Sequence, residues 1–115
     1  MSAHSATLEA VERVLDRGGE ADDLLRQVVA ILHERLGCFV RISFVEADGL
    51  APGPAAGDET ATTAFPVAFQ KRRVADLEAG GELTAEDRAL VERVAILLSP
   101  YALVGWDTNG EAWNP

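Results

Sequence analysis

FPVAFQKRRVADLE, residues 65–78, reads as two short strands folded back on one another. Phe65, Val67 and Phe69 alternate with smaller residues, the period-two pattern of a half-buried strand. Gln70-Lys71-Arg72 makes a tight connection, and alternation resumes with Ala75 and Leu77 on one face and Val74, Asp76 and Glu78 on the other. The strands Thr62–Gln70 and Arg72–Glu78 are joined too closely for anything but an antiparallel pair. Gly80-Gly81 then breaks the pattern. Thr84, followed three residues later by Asp87, forms a capping box. The helix it opens buries Leu90, Val91, Val94, Leu97 and Leu98, and Pro100 should end or kink it.

Upstream, Cys38–Glu46 is a further strand, rich in β-branched and aromatic residues. Val40, Ile42 and Phe44 share the face turned to the helices, while Phe39, Arg41, Ser43 and Val45 share the opposite one. Asp48-Gly49 is a turn and Leu50 opens a short strand at most; Pro52, Gly53, Pro54 and Gly57 predict loop from Ala51 to Glu59. Before this lie two helices. The first carries a narrow stripe of Leu8, Val11, Val14 and Leu15 and stops at Gly18-Gly19. In the second, Asp22-Asp23 suits the positive end of the helix dipole, and Leu24, Leu25, Val28, Val29, Ile31, Leu32 and Leu36 form a broad apolar face closed by Gly37. The expected architecture is an α/β domain of the α+β type. An antiparallel meander sheet has helices on one face and spans 1–115 as one domain, with an N-terminal helix (1–19), a core (20–105) and a tail (106–115).

Composition narrows the function. At 115 residues, 48% of them hydrophobic, the chain can bury about two thirds of its unfolded surface. Nineteen acidic residues against ten basic ones give a net charge of −9, and the one basic cluster is Lys71-Arg72-Arg73 in a hairpin turn. Phosphate backbones and anionic membranes are bound by clustered cations, so neither is an expected partner. Cys38 is the single cysteine, which excludes an internal disulfide and fits a reducing compartment. The N-terminus lacks a signal-peptide pattern, and the longest apolar stretch, Val94–Trp106, is interrupted by Ser99-Pro100. The chain therefore reads as cytoplasmic, with no cofactor and no metal expected.

LLRQVVAILHERLG running into CFVRISFVEADGL, then FPVAFQKRRVADLE followed by ELTAEDRALVERVA, resembles the GAF domain family, the small sensory modules of phytochromes and cyclic-nucleotide phosphodiesterases. The resemblance covers Leu24 to Leu98. It implies an antiparallel sheet with helices on one face and, where a ligand is held, a pocket on the other. It also implies that the first strand lies beside the last. Members that hold a chromophore or cyclic nucleotide carry extra segments that wall this pocket, whereas here LAPGPAAG passes almost at once to TATTAFPV. The Leu50–Gly57 stretch is similar to a loop of free methionine-(R)-sulfoxide reductases, GAF-type enzymes that use several cysteines where this chain has one.

Other chemistry is sparse. His33 lies at the edge of an apolar helix face, His4 falls in a terminus that should fray, and no hydroxyl nucleophile accompanies a histidine base. The strand order implied by the family brings Arg41 and Ser43 beside Asp76 and Glu78, either as a small polar ligand site or as a solvated cross-strand ion pair. Leu8, Val11, Leu15, Tyr101, Trp106 and Trp113 are candidates for an interface, or else pack on their own domain. The expected function is a non-catalytic sensory or interaction module, a homodimer that acts through protein contacts.

Overall fold

The computed structural model describes residues 3–46 and 49–109, with side chains from 4 to 101 within those limits. Helices α1 (Ala3–Arg17) and α2 (Ala21–Leu36) precede strands β1 (Val40–Glu46), β2 (Gly49–Ala56), β3 (Thr62–Phe69) and β4 (Arg72–Gly80), and α3 (Ala85–Asn109) closes the chain. The sheet is antiparallel throughout, in the order β2-β1-β4-β3. The meander pattern holds inside the two hairpins, β1–β2 and β3–β4. Between them it is broken: β2 and β3 follow one another in the chain yet occupy opposite edges, and β1 pairs with β4 at the centre.

The layers follow from the apolar periodicities. Inward side chains of the sheet, among them Val40, Ile42, Phe65, Val67, Ala75 and Leu77, meet Leu25, Val28, Val29 and Leu32 of α2 and Leu90, Val91, Val94 and Leu98 of α3 in one core. Val11, Val14 and Leu15 of α1 join the same cluster, and α1 packs on α2 and α3. Gly37 ends α2 with φ of 69°, a left-handed cap whose amide bonds to the His33 carbonyl. Thr84 and Asp87 make the predicted reciprocal cap of α3: the Asp87 amide donates to the Thr84 hydroxyl, and the Thr84 amide to the Asp87 carboxylate. His4 does not fray; it lies in α1 and bonds the same Asp87 carboxylate at 2.9 Å, tying the starts of the two helices together.

Two further expectations are corrected. The Pro/Gly-rich stretch after Leu50 is strand β2, and its edge position explains why: an edge strand tolerates residues that lack an amide hydrogen. Gly53 sits where a Cβ would lie 2.5 Å from the Phe44 ring, and the adjacent register shift lets the bulged edge fold over that ring. Pro52, Pro54 and Pro66 all fall on edge strands, which also blunts them against pairing with other chains. Pro100 lies inside α3 and does not end it: the helix continues to Asn109, so Asp107, Thr108 and Asn109 of the expected tail are helical. Residues 110–115, with Trp113, lie outside the described residues.

Candidate functional site

The sheet face turned away from the helices is organised in rows across the strands. One row reads Ala55–Arg41–Glu78–Ala64 and the next Pro52–Ser43–Asp76–Pro66. The two central strands supply polar groups and the two edge strands small apolar ones. The juxtaposition of Arg41 and Ser43 with Glu78 and Asp76 is thus the one expected, set by the β1–β4 register.

The partners within that cluster are more specific. Arg41 donates from Nε to Glu78 at 2.7 Å, with Nη2 2.6 Å from the same carboxylate oxygen. Its Nη1 reaches Glu59, at 3.0 Å, on the segment linking β2 to β3. The guanidinium also lies over the Phe39 ring, 5.4 Å from its centroid. Glu78 is only 6% exposed, so a buried carboxylate faces a guanidinium whose side chain is 25% exposed. These hydrogen bonds, Glu78 first, raise the Arg41 pKa further above its ordinary value.

Asp76, 2% exposed, does not join Arg41; both of its oxygens are taken by Nε and Nη2 of Arg73. On a regular strand residues three apart face opposite ways. Here Ala68 opposes Arg73 while Pro66 opposes Asp76, so β4 holds one extra residue at Val74. That bulge resets the alternation and brings Arg73 onto the face of Asp76. Sequence periodicity carries no sign of it. Glu59 was equally hidden, because no local pattern announces a loop carboxylate that folds over a strand.

Elsewhere the structure offers shallower features. A groove of about 480 Å3 between α1 and α3 is lined by His4, Leu8, Glu9, Glu86, Ala89 and Arg93. A cleft of about 450 Å3 at the β1 start is lined by His33, Cys38, Phe39, Gly57, Asp58 and Thr60. His33 Nδ1 is 2.7 Å from the Cys38 carbonyl, which can only accept, so Nδ1 carries the hydrogen. Burial pushes the Cys38 thiol above its ordinary pKa; a hydrogen bond from the Gly80 amide opposes this, and the Asp87 charge reinforces it. Among the described residues no group of three or more His, Cys, Asp or Glu side chains is placed to hold a metal ion. Among them, too, no helix is long and apolar enough to cross a membrane.

The crystal structure of the GAF domain from an Acinetobacter phosphoenolpyruvate-protein phosphotransferase matches this architecture with a TM-score of 0.69, over 90% of this chain and 95% of that chain, at 9% sequence identity. The fold is GAF-like. Sequence comparison adds nothing to this, since no family model and no curated protein matches. At so low an identity the likeness concerns the fold alone.

In the GAF-like frame the candidate interface residues separate. Val11 and Leu15 are buried in the domain's own core, Leu8 and Tyr101 pack half-buried against it, and Trp106 lies on the last turns of α3. Among the residues whose side chains are described, the exposed large apolar one on the helical side is Ile96, 68% exposed on α3, which helical periodicity alone did not single out.

Proposed function

We propose that this GAF-like domain is a non-catalytic sensory and interaction module that works in the cytoplasm through protein–protein contacts, as a homodimer. The observation that carries this reading is the state of the second sheet face. Its buried carboxylates, Asp76 and Glu78, are neutralised by Arg73 and Arg41 of the same chain, and small residues flank them without forming walls. A ligand site of ordinary size encloses most of its ligand, and neither row supplies that enclosure. Catalysis by the lone thiol is disfavoured on chemistry: burial holds Cys38 protonated, and no second cysteine exists to resolve a sulfenic acid. That argues against an enzyme related to free methionine-(R)-sulfoxide reductase.

The groove between α1 and α3, with Leu8 in its lining and Ile96 exposed further along α3, is the surface proposed for the second copy. Sedimentation velocity at micromolar concentration tests it. A dimer of the 12.3 kDa chain is expected, with Ile96→Glu shifting it toward monomer; a wild-type monomer removes the dimer. A second reading, binding of a small polar ligand on the open sheet face, is favoured by one detail: among the described residues the outer edge of Arg41 is held by a single, exposed glutamate, Glu59. Melting temperatures of wild type and Arg41→Ala against a metabolite panel test that reading, which is lost if no compound shifts the wild type.

A further inference from the structure

We propose that the Nη1 edge of Arg41 is a subsite for a small free carboxylic acid, and that Glu59 occupies it in the unliganded domain as a built-in competitor. The proposal rests on the open-face reading and names its ligand class and its control. Arg41 has two kinds of partner. Glu78, buried, takes Nε and Nη2; Glu59, with 73% of its side chain exposed, takes Nη1. Exposed pairs are weak because water competes for both groups and a long side chain must be ordered. The inner pair, together with the Phe39 ring under the guanidinium, holds the Arg41 head in place whether or not Glu59 is bound. The outer edge is therefore preorganised and its occupant is labile.

Charge and space agree with exchange. A ligand carboxylate replaces one carboxylate by another, so the cluster keeps its net charge when Glu59 swings out. On the edge strands the neighbours in that row are Ala55 and Ala64, both exposed and too short to obstruct approach. Arg73 is gripped by Asp76 through the same two nitrogens, but its side chain is 52% exposed against 25% for Arg41, and among the described residues no aromatic ring lies under its head, so its outer edge is less preorganised.

A competing exposed pair is closed roughly one and a half to five times as often as open, so removing it should tighten carboxylate binding about two- to six-fold. The probes are sodium acetate and sodium succinate, titrated against sodium chloride at constant ionic strength and followed by amide chemical shifts of the whole chain. Wild type should show saturable carboxylate-specific shifts around residues 39–43 and 57–60. Glu59→Gln should bind two- to six-fold more tightly. Arg41→Met/Glu78→Met, which exchanges the pair for apolar side chains, should not bind; if it fails to fold, Arg41→Lys serves instead and should bind more weakly than wild type. Equal affinity of wild type and Glu59→Gln overturns the competitor while leaving the open-face reading intact. Absence of saturable shifts in both overturns the carboxylate subsite, whereas the open-face reading falls only if the metabolite panel also leaves the wild type unshifted. Retained affinity in the Arg41 variants overturns the assignment to Arg41.

Discussion

The inner pair of the sheet face should respond asymmetrically to mutation, because its two members are buried to different degrees. Arg41→Met keeps most of the aliphatic stem but strands the Glu78 carboxylate at 6% exposure, with none of its guanidinium hydrogen bonds left. Breaking a buried pair from one side costs about 3–5 kcal/mol, and the partial exposure of Arg41 places this case near 3 kcal/mol. Glu78→Met leaves the guanidinium, which still reaches Glu59 and water, so the loss should be about 1 kcal/mol. Replacing both removes the charges and the need to solvate them, and the double variant should lie within about 1 kcal/mol of wild type. The cycle thus predicts a coupling of roughly 3–5 kcal/mol. Urea denaturation at neutral pH with linear extrapolation measures all four proteins, provided the slopes agree. Equal costs for the two single variants, or a coupling below about 0.5 kcal/mol, would show a solvated pair and refute the burial argument.

Further outcomes follow from the same geometry. Asp87 is held below its ordinary pKa chiefly by the His4 hydrogen bond, with help from the Thr84 amide and hydroxyl. A depressed folded-state pKa stabilises above the unfolded value, about pH 4, and the gain is lost as pH falls through the folded value. The stability gap between wild type and Asp87→Asn should therefore narrow between pH 7 and pH 3, as urea midpoints would show; a constant gap contradicts the assignment. Gln70 and Lys71 adopt φ of 53° and 66° in a two-residue hairpin turn, where a side chain costs about 1 kcal/mol per residue. Lys71→Gly should stabilise by about 0.5 kcal/mol once the greater freedom of glycine in the unfolded chain is subtracted, and a lowered melting temperature would count against this turn. Gly53→Ala places a methyl group 2.5 Å from the Phe44 ring and 2.7 Å from the Ile42 carbonyl. A loss of about 1–3 kcal/mol is expected in calorimetry, and a neutral result would mean that β2 does not lie over Phe44.

By itself the sequence determined the parts that depend on local periodicity and punctuation. The broad stripe of α2, the alternation in β1 and β3, the stop at Gly37 and the Thr84–Asp87 cap are each legible because neighbouring residues alone dictate them. The pairing of Arg41 with Glu78 came from the strand order implied by the GAF resemblance, and the register bears that order out. What only the tertiary structure decided are the features fixed by long-range contact. Pro52, Gly53 and Pro54 forbid a central strand but permit an edge, and no local signal says where the edge lies. Pro100 is carried within a helix already anchored by Leu90, Val91, Val94 and Leu98. Val11 and Leu15 became core once α1 had α2 and α3 to pack against. Arg73 entered the polar cluster through a bulge inside the β3–β4 hairpin and Glu59 through the segment that joins the two hairpins, and neither is announced by the local periodicity.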